Sequence, residues 1–143
     1  MPRQATASGS SPTGYSGTPL PKKLGVKPGF VVMLDGAPDG FETTLGELPE
    51  GATVSRNAKT KRNLTLWFIR SRAELEKRIA KMAAFGASSG LWICWPKKAS
   101  GVVTDVDETV VRETALANGL VDFKVAAIDA TWSGHRFNLR KAS

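Results

Sequence analysis

Short runs of apolar residues are distributed along the chain and predict the strands of a buried sheet. Three of them, FVVML, LTLWFI and LWICW, are almost free of polar residues. Continuous runs of this kind are typical of parallel strands that are covered on both faces. The runs VDFKVAAI, ATVS and RFNL predict further strands. In chain order, the predicted strands are residues 30–34, 52–55, 64–69, 91–95, 121–128 and 136–139.

Helical patterns lie between several of these strands. Ser71 and Glu74 form an S-x-x-E capping box, and apolar residues then recur every three or four positions until Gly86. Thr104 and Asp107 predict the start of a second helix. Its expected buried residues are Val106, Val110 and Ala117, and its expected end is Asn118-Gly119. Shorter helices are expected before Gly25 and over residues 41–45.

Alternating strands and helices predict an α/β fold with a mostly parallel open sheet and helices on both faces. Residues 131–134 are short enough to close a hairpin, which would add one antiparallel strand at the C-terminal end. Residues 1–18 are rich in Ser, Thr, Gly and Pro, and we expect them to form a flexible tail. Residues 19–143 have the length of a single domain.

The charge balance permits an anionic partner. The chain has 20 Lys and Arg against 13 Asp and Glu, which gives a net charge of +7. Nucleic acid is one such partner, and the basic segment RNAKTKRN is its candidate contact, although no recognition helix or interleaved aromatic residues accompany it.

Cys94 lies within an apolar run and is expected in the core. No apolar segment could cross a membrane or serve as a secretory signal, so we expect a cytoplasmic protein without a membrane partner.

Three segments carry a resemblance to known families. GYSGTPLPKKLGVKPG, WPKKASGVVTD and GLVDFKVAAIDATWSG resemble the bacterial domain-of-unknown-function family 3052. The short helix ending in KLGVKPG, followed by the first strand and a final antiparallel strand, is similar to an S-adenosylmethionine-dependent methyltransferase domain. This resemblance implies a shortened Rossmann-like fold and makes S-adenosylmethionine the implied cofactor.

The sequence departs from the methyltransferase pattern where the cofactor would bind. Gly36 and Gly40 are four residues apart in DGAPDGF, so neither GxGxG nor GxGxxG is present. Arg56 follows the second strand, where the family pattern has an acidic residue for the ribose hydroxyls. Little chain separates that strand from Leu64, so one element of the family fold is expected to be missing. We therefore expect a degraded S-adenosylmethionine pocket.

Topology indicates where another ligand would bind. In open parallel sheets, ligands bind beyond the carboxyl ends of the strands. The candidate anion-site residues there are Arg70, Ser71, Lys97, Lys98, Ser100 and Thr104, and the candidate rim residues are Asp35, Asp129, Trp132 and His135. Helix N-termini near Ser71 and Thr104 would add free N–H groups. Under the alternative interpretation, Lys97 and Lys98 are ordinary solvated loop residues and Ser71 is only a helix cap.

The remaining candidate chemistry is sparse. His135, the one histidine, is expected at the surface of a hairpin, where Asp129 could pair with it, and no metal site is expected. Asp35 or Asp129 could act as a general base, but no residue is assigned a catalytic role. Trp132 could stack on a ligand or cover the core.

The sequence leaves three functions open. The first is a non-catalytic methyltransferase-like module that binds an anionic small molecule or a protein partner. The others are a divergent S-adenosylmethionine-dependent methyltransferase and a nucleic-acid-binding protein.

Overall fold

A computed structural model describes residues 18–57, 59, 61–87 and 90–140. The expected tail falls almost entirely on residues 1–17, which lie outside the described residues, so that expectation stays a prediction. The α-helices are α1 (Leu20–Leu24), α2 (Phe41–Leu45), α3 (Arg72–Met82) and α4 (Glu108–Ala117), and short 3-10 helices cover Ala83–Ala87 and Lys98–Ser100. The strands are β1 (Val31–Asp35), β2 (Thr53–Ser55), β3 (Leu64–Phe68), β4 (Leu91–Pro96), β5 (Leu120–Ala127) and β6 (Trp132–Leu139).

All six strands form one sheet in the order β2-β1-β3-β4-β6-β5. The pairs β2–β1, β1–β3 and β3–β4 are parallel. Strand β6 lies between β4 and β5 and runs antiparallel to both of them. The predicted fold class is therefore confirmed: the sheet is mostly parallel, with an antiparallel C-terminal hairpin.

Two apolar clusters cover the two faces of the sheet. Alternate residues of the central strands point to opposite sides, so Leu66 and Trp92 belong to one cluster while Trp67 and Ile93 belong to the other. Helices α1 and α2 pack on the first face, whereas α3 and α4 pack on the second. This double cover explains why β3 and β4 are buried along their whole length.

Helix α3 begins as its sequence predicts. The Ser71 hydroxyl accepts the N–H of Glu74 at 3.1 Å, and Leu75, Ile79 and Met82 are buried. The Glu74 carboxylate accepts the N–H of Arg70 at 2.8 Å, one residue before the cap. The start of the helix is thus fixed by reciprocal hydrogen bonds.

The prediction for the start of α4 was wrong by one turn. Asp107 is the cap, because its carboxylate accepts the N–H of Val110 at 2.9 Å. Thr104 lies in the preceding loop, where its hydroxyl donates to the Arg70 carbonyl at 2.8 Å. The buried residues within α4 are Val111 and Ala115. Of the three residues predicted on its buried face, Val106 is buried in the preceding loop, Val110 is partly buried and Ala117 is exposed.

The final hairpin also differs from the prediction. Strand β6 begins at Trp132, so residues 132–134 are in the strand instead of the turn. The Asp129 carboxylate accepts the N–H groups of both Thr131 and Trp132 at 2.8 Å and thereby tightens the connection. Gly134 lies within the strand, and a larger residue is excluded there because a Cβ would approach Trp92 and Ile128 to about 3 Å.

Candidate functional site

Arg70 is the residue that ties the carboxyl edge of the sheet together. It follows β3, and its Nη1 donates to the Gly36 carbonyl at 3.0 Å. Its guanidinium lies 5.1 Å from the ring centroid of Trp132, and its carbonyl accepts the Thr104 hydroxyl. Residues that follow β1, β3 and β4 therefore meet at the start of β6, as the topology predicts.

Trp132 belongs to the core and does not present a free ring face. Its exposed fraction is 6%, and it packs edge-on against Phe68 with ring centroids 5.0 Å apart. The Arg70 guanidinium lies over the ring. Of the two roles open in the sequence, the structure places Trp132 in the role of covering the core.

The loop that contains Lys97 and Lys98 is held in shape by its own polar groups. The Lys97 N–H donates to the Thr131 carbonyl at 2.8 Å, which joins the loop to the β5–β6 connection. The Ser100 hydroxyl donates to the Lys97 carbonyl at 2.6 Å and accepts the N–H of Val102 at 3.1 Å. Ser100 therefore shapes the loop, and its one O–H donor is already in use and is not free for an anion.

The lysine side chains of this loop are free of ion pairs with the described residues. Lys98 is exposed and Lys97 is partly buried. By contrast, Arg56, Arg72 and Arg112 are each bridged to a carboxylate. The loop thus retains positive charge that no described carboxylate neutralises directly.

The N-terminus of α3 does not offer the free N–H groups that we expected for an anion. Ser71 accepts the N–H of Glu74, and the Asp105 carboxylate accepts the N–H of Arg72 at 2.7 Å. The Glu74 carboxylate accepts a hydrogen bond from the N–H of Arg70, the residue before the cap. Because groups of the chain already accept the N–H groups of Arg70, Arg72 and Glu74, most of the N-terminus of α3 is occupied and it offers little to an anion.

Asp35 was predicted at the rim of the site, but it faces α3 and is paired there. Both of its carboxylate oxygens accept from the Arg78 guanidinium at 2.8 Å. This fork-to-fork contact raises the pKa of Arg78 and keeps the carboxylate hydrogen-bonded. Asp35 is therefore a structural partner of α3 and is unsuited to act as a general base.

Arg56 clamps the loop that follows β1. Its Nη1 donates to the Ala37 carbonyl and its Nη2 donates to the Pro38 carbonyl, both at 2.9 Å. It also binds both carboxylate oxygens of Glu42, at 2.7 and 3.0 Å, and so lowers the pKa of Glu42 to about 2. With Arg70 on the Gly36 carbonyl, three successive carbonyls are held by two guanidinium groups. We call this arrangement the arginine clamp.

The arginine clamp does not fit S-adenosylmethionine binding of the family type. A dinucleotide-type loop presents backbone N–H groups to its ligand and needs an acidic residue for the ribose. Here the loop turns carbonyls toward arginines, Pro38 has no N–H, and Arg56 stands in place of the acid. No methyl-transfer step follows from these residues.

His135 was expected at the surface, and that expectation was wrong. It is 3% exposed and pairs in register with Ile93 and Val125, within the sheet. Its partner is Asp122, whose carboxylate lies 2.8 Å from Nε2, and not Asp129. The ring stacks on Phe137 at 4.1 Å, on the face opposite Trp132, so His135 lies away from the rim of the candidate site.

We expect His135 to make the protein less stable below neutral pH. Burial lowers the pKa of His135, while Asp122 and Glu108 oppose the shift. Nε2–H can donate to Asp122, but Nδ1 is buried without a hydrogen-bond partner, so a second proton there would be unsatisfied. The pKa of His135 in the folded protein is therefore below its unfolded value of 6.5. The contribution of the neutral ring to folding stability is complete above pH 6.5 and is lost as the pH falls through the pKa of the folded protein.

Urea unfolding between pH 5 and pH 7.5 measures this effect. A His135→Phe variant keeps the ring stack and removes the titrating group, so its free energy of unfolding should fall less toward pH 5. Equal pH dependence of the two proteins would contradict a neutral, buried His135.

Several important partners were not found from the sequence. Arg78 is one polar residue among many on α3, and Arg112 and Asp122 belong to separate elements that meet only in the fold.

Cys94 behaves as predicted: it is fully buried, and burial raises the pKa of its thiol, so it is an unreactive core residue. Among the described residues, no cluster of His, Cys, Asp and Glu could hold a metal ion. None of the helices in the described part of the chain is long and apolar enough to span a membrane.

Comparisons with known proteins add little to this geometry. No protein-family model matches the sequence, and no curated protein matches it. One similar solved structure is that of a "putative methyltransferase" from Thermoplasma acidophilum. The match has a TM-score of 0.49 and 11% identity, and it covers 88% of this chain and 76% of that one. The fold class rests on the strand order and directions given above.

Proposed function

We propose that the protein is a non-catalytic methyltransferase-like module that binds an anionic small molecule or a protein partner at the carboxyl edge of its sheet. The arginine clamp is the observation that carries this proposal. The clamp fixes the loop after β1 in a form that does not suit S-adenosylmethionine. Arg56 and Arg70 approach this loop from different strands, and Arg70 binds its first carbonyl, that of Gly36. We also propose membership of family 3052, a single domain over residues 19–143 and a cytoplasmic location.

The cations at this edge support anion binding. Within the described residues, the Arg70 guanidinium donates only through Nη1, so its Nε and Nη2 remain for a ligand. Lys97 and Lys98 begin the loop that Thr104 ties to Arg70. An anion in contact with these groups would gain charge-assisted hydrogen bonds without displacing an existing ion pair.

Charge reversal of the two lysines tests the proposed edge. A Lys97→Glu/Lys98→Glu variant should bind tripolyphosphate at least about tenfold more weakly by calorimetry, and the weakening should be largest at low salt. Its melting temperature should hardly change, because neither lysine forms an ion pair with the described residues and exposed or partly exposed charges contribute little to stability. The matched control is Lys77→Glu/Lys81→Glu on α3, which makes the same change in net charge at two exposed lysines. Equal losses in the two variants would indicate a general effect of net charge and would contradict a site at the edge.

Titration with S-adenosylmethionine separates this proposal from a divergent methyltransferase. We expect no heat of binding and no thermal stabilisation, because the loop carbonyls already bind Arg56 and Arg70. Micromolar affinity would refute the non-catalytic proposal and favour the methyltransferase. Strong binding to DNA or RNA with a steep salt dependence would favour the nucleic-acid function instead.

A further inference from the structure

Two exposed valines stand at the tip of the loop between β4 and α4. Val103 is 96% exposed and Val102 is 44% exposed. The loop is fixed on both sides of them, because Val102 donates to the Ser100 hydroxyl and Thr104 donates to the Arg70 carbonyl. These restraints hold the valines, here called the valine knob, outside the core.

A groove lies between α3 and α4 and has a volume of about 430 Å³. Its apolar lining includes Ile79, Ala80, Val110 and Ala117. Glu76, Glu113 and Arg72 also line it, and Arg72 forms an ion pair with Glu76 at 2.9 Å. The two carboxylates and one guanidinium leave one negative charge at the groove, whose lining also includes the polar residues Thr114 and Asn118. We call this feature the α3–α4 groove.

We propose that the valine knob of one copy of the chain binds in the α3–α4 groove of a second copy. Burial of the valines would remove apolar surface from water on both sides of the contact. Lys97 and Lys98 begin the loop that carries the knob, and the groove is negative, so the two surfaces are complementary in charge. The knob is exposed, so it does not occupy the groove of its own copy.

The contact joins two different surfaces and is therefore head-to-tail in character. Its small apolar area predicts weak, concentration-dependent association. A lipid surface fits less well, because the knob has only two small aliphatic side chains and no aromatic residue beside it. This self-association goes beyond the proposed anion binding and does not depend on it.

Sedimentation velocity of the full chain, over about 1 µM to 1 mM, measures the association. Val102→Ser/Val103→Ser removes the knob, and Ala117→Arg fills the groove with a bulky cation. Each should weaken self-association at least about tenfold. Val125→Ser is the matched control, because Val125 is a 46% exposed valine on β5 outside both features. It should associate like the unmodified chain.

Mixing the two defective variants gives the sharpest test. The knob variant keeps an intact groove and the groove variant keeps an intact knob, so an equimolar mixture should regain association through one good contact. The proposal is overturned if the unmodified chain stays monomeric over this range, if both variants associate normally, or if the mixture does not recover. Circular dichroism and melting curves check that the variants fold. Tripolyphosphate binding, which should persist in both, reports on the proposed function separately.

Discussion

Replacement of Trp92 with alanine should lower the free energy of unfolding by about 3–5 kcal/mol. Trp92 has no exposed surface, and its indole N–H donates to the Leu24 carbonyl at 3.0 Å. The ring joins the centre of the sheet to the end of α1 and closes against Gly134. Truncation therefore leaves a large cavity and also removes the partner of a buried carbonyl. Urea unfolding measured by fluorescence or circular dichroism gives the value.

Two further variants separate the contributions of the ring. Trp92→Phe keeps most of the apolar volume and loses the hydrogen bond to Leu24, so it should cost less than Trp92→Ala, about 1–3 kcal/mol. Leu139→Ala, at a 37% exposed position on β6, should cost less than either tryptophan variant. A Trp92→Ala protein as stable as the Leu139→Ala protein would show that Trp92 is not the central packing residue of this face.

Replacement of Gly36 with alanine should be the most damaging small change at the candidate site. Gly36 has φ of +76°, a conformation that costs an alanine about 1–2 kcal/mol. Its Cβ would also lie 2.6 Å from the Phe68 carbonyl oxygen, which is backbone and cannot swing aside. The resulting overlap should add about 1–3 kcal/mol. The shift should also disturb the contact between Arg70 and the Gly36 carbonyl.

Gly40 provides a matched control within the same loop. Its φ is +79°, but a Cβ there would have no heavy atom within 4 Å. Gly40→Ala should therefore show the conformational cost alone, and the difference between the two variants measures the close approach of β1 to β3. Equal losses of unfolding free energy would mean that the loop moves away from Phe68 without cost.

Local patterns predicted most of the fold. The continuous apolar runs located β1, β3 and β4 to within one residue at each end, because burial on both faces excludes polar residues along the whole strand. The S-x-x-E pattern at Ser71 predicted the start of α3, since capping depends on residues that are adjacent in sequence. The rule for the carboxyl edge of parallel strands correctly brought Arg70 and Trp132 together.

The errors concern interactions between residues that are distant in sequence. His135 was read as a surface residue because nothing nearby indicates its pairing with Asp122 or its stack on Phe137. Gly134 was assigned to a turn because sequence does not reveal that Trp92 packs against it. Arg56 was noticed as a departure from the family pattern, but its contacts with two loop carbonyls became visible only in the structure.

The insertion of β6 between β4 and β5 has a consequence for folding during synthesis. Strand β4 pairs with β3 on one side and with β6 on the other, so its second edge stays open until α4, β5 and β6 have been made. That edge belongs to a strand that is buried on both faces in the finished protein. The nascent chain therefore exposes an unpaired apolar strand edge late in translation, which is the kind of surface that chaperones bind and that aggregates when they do not.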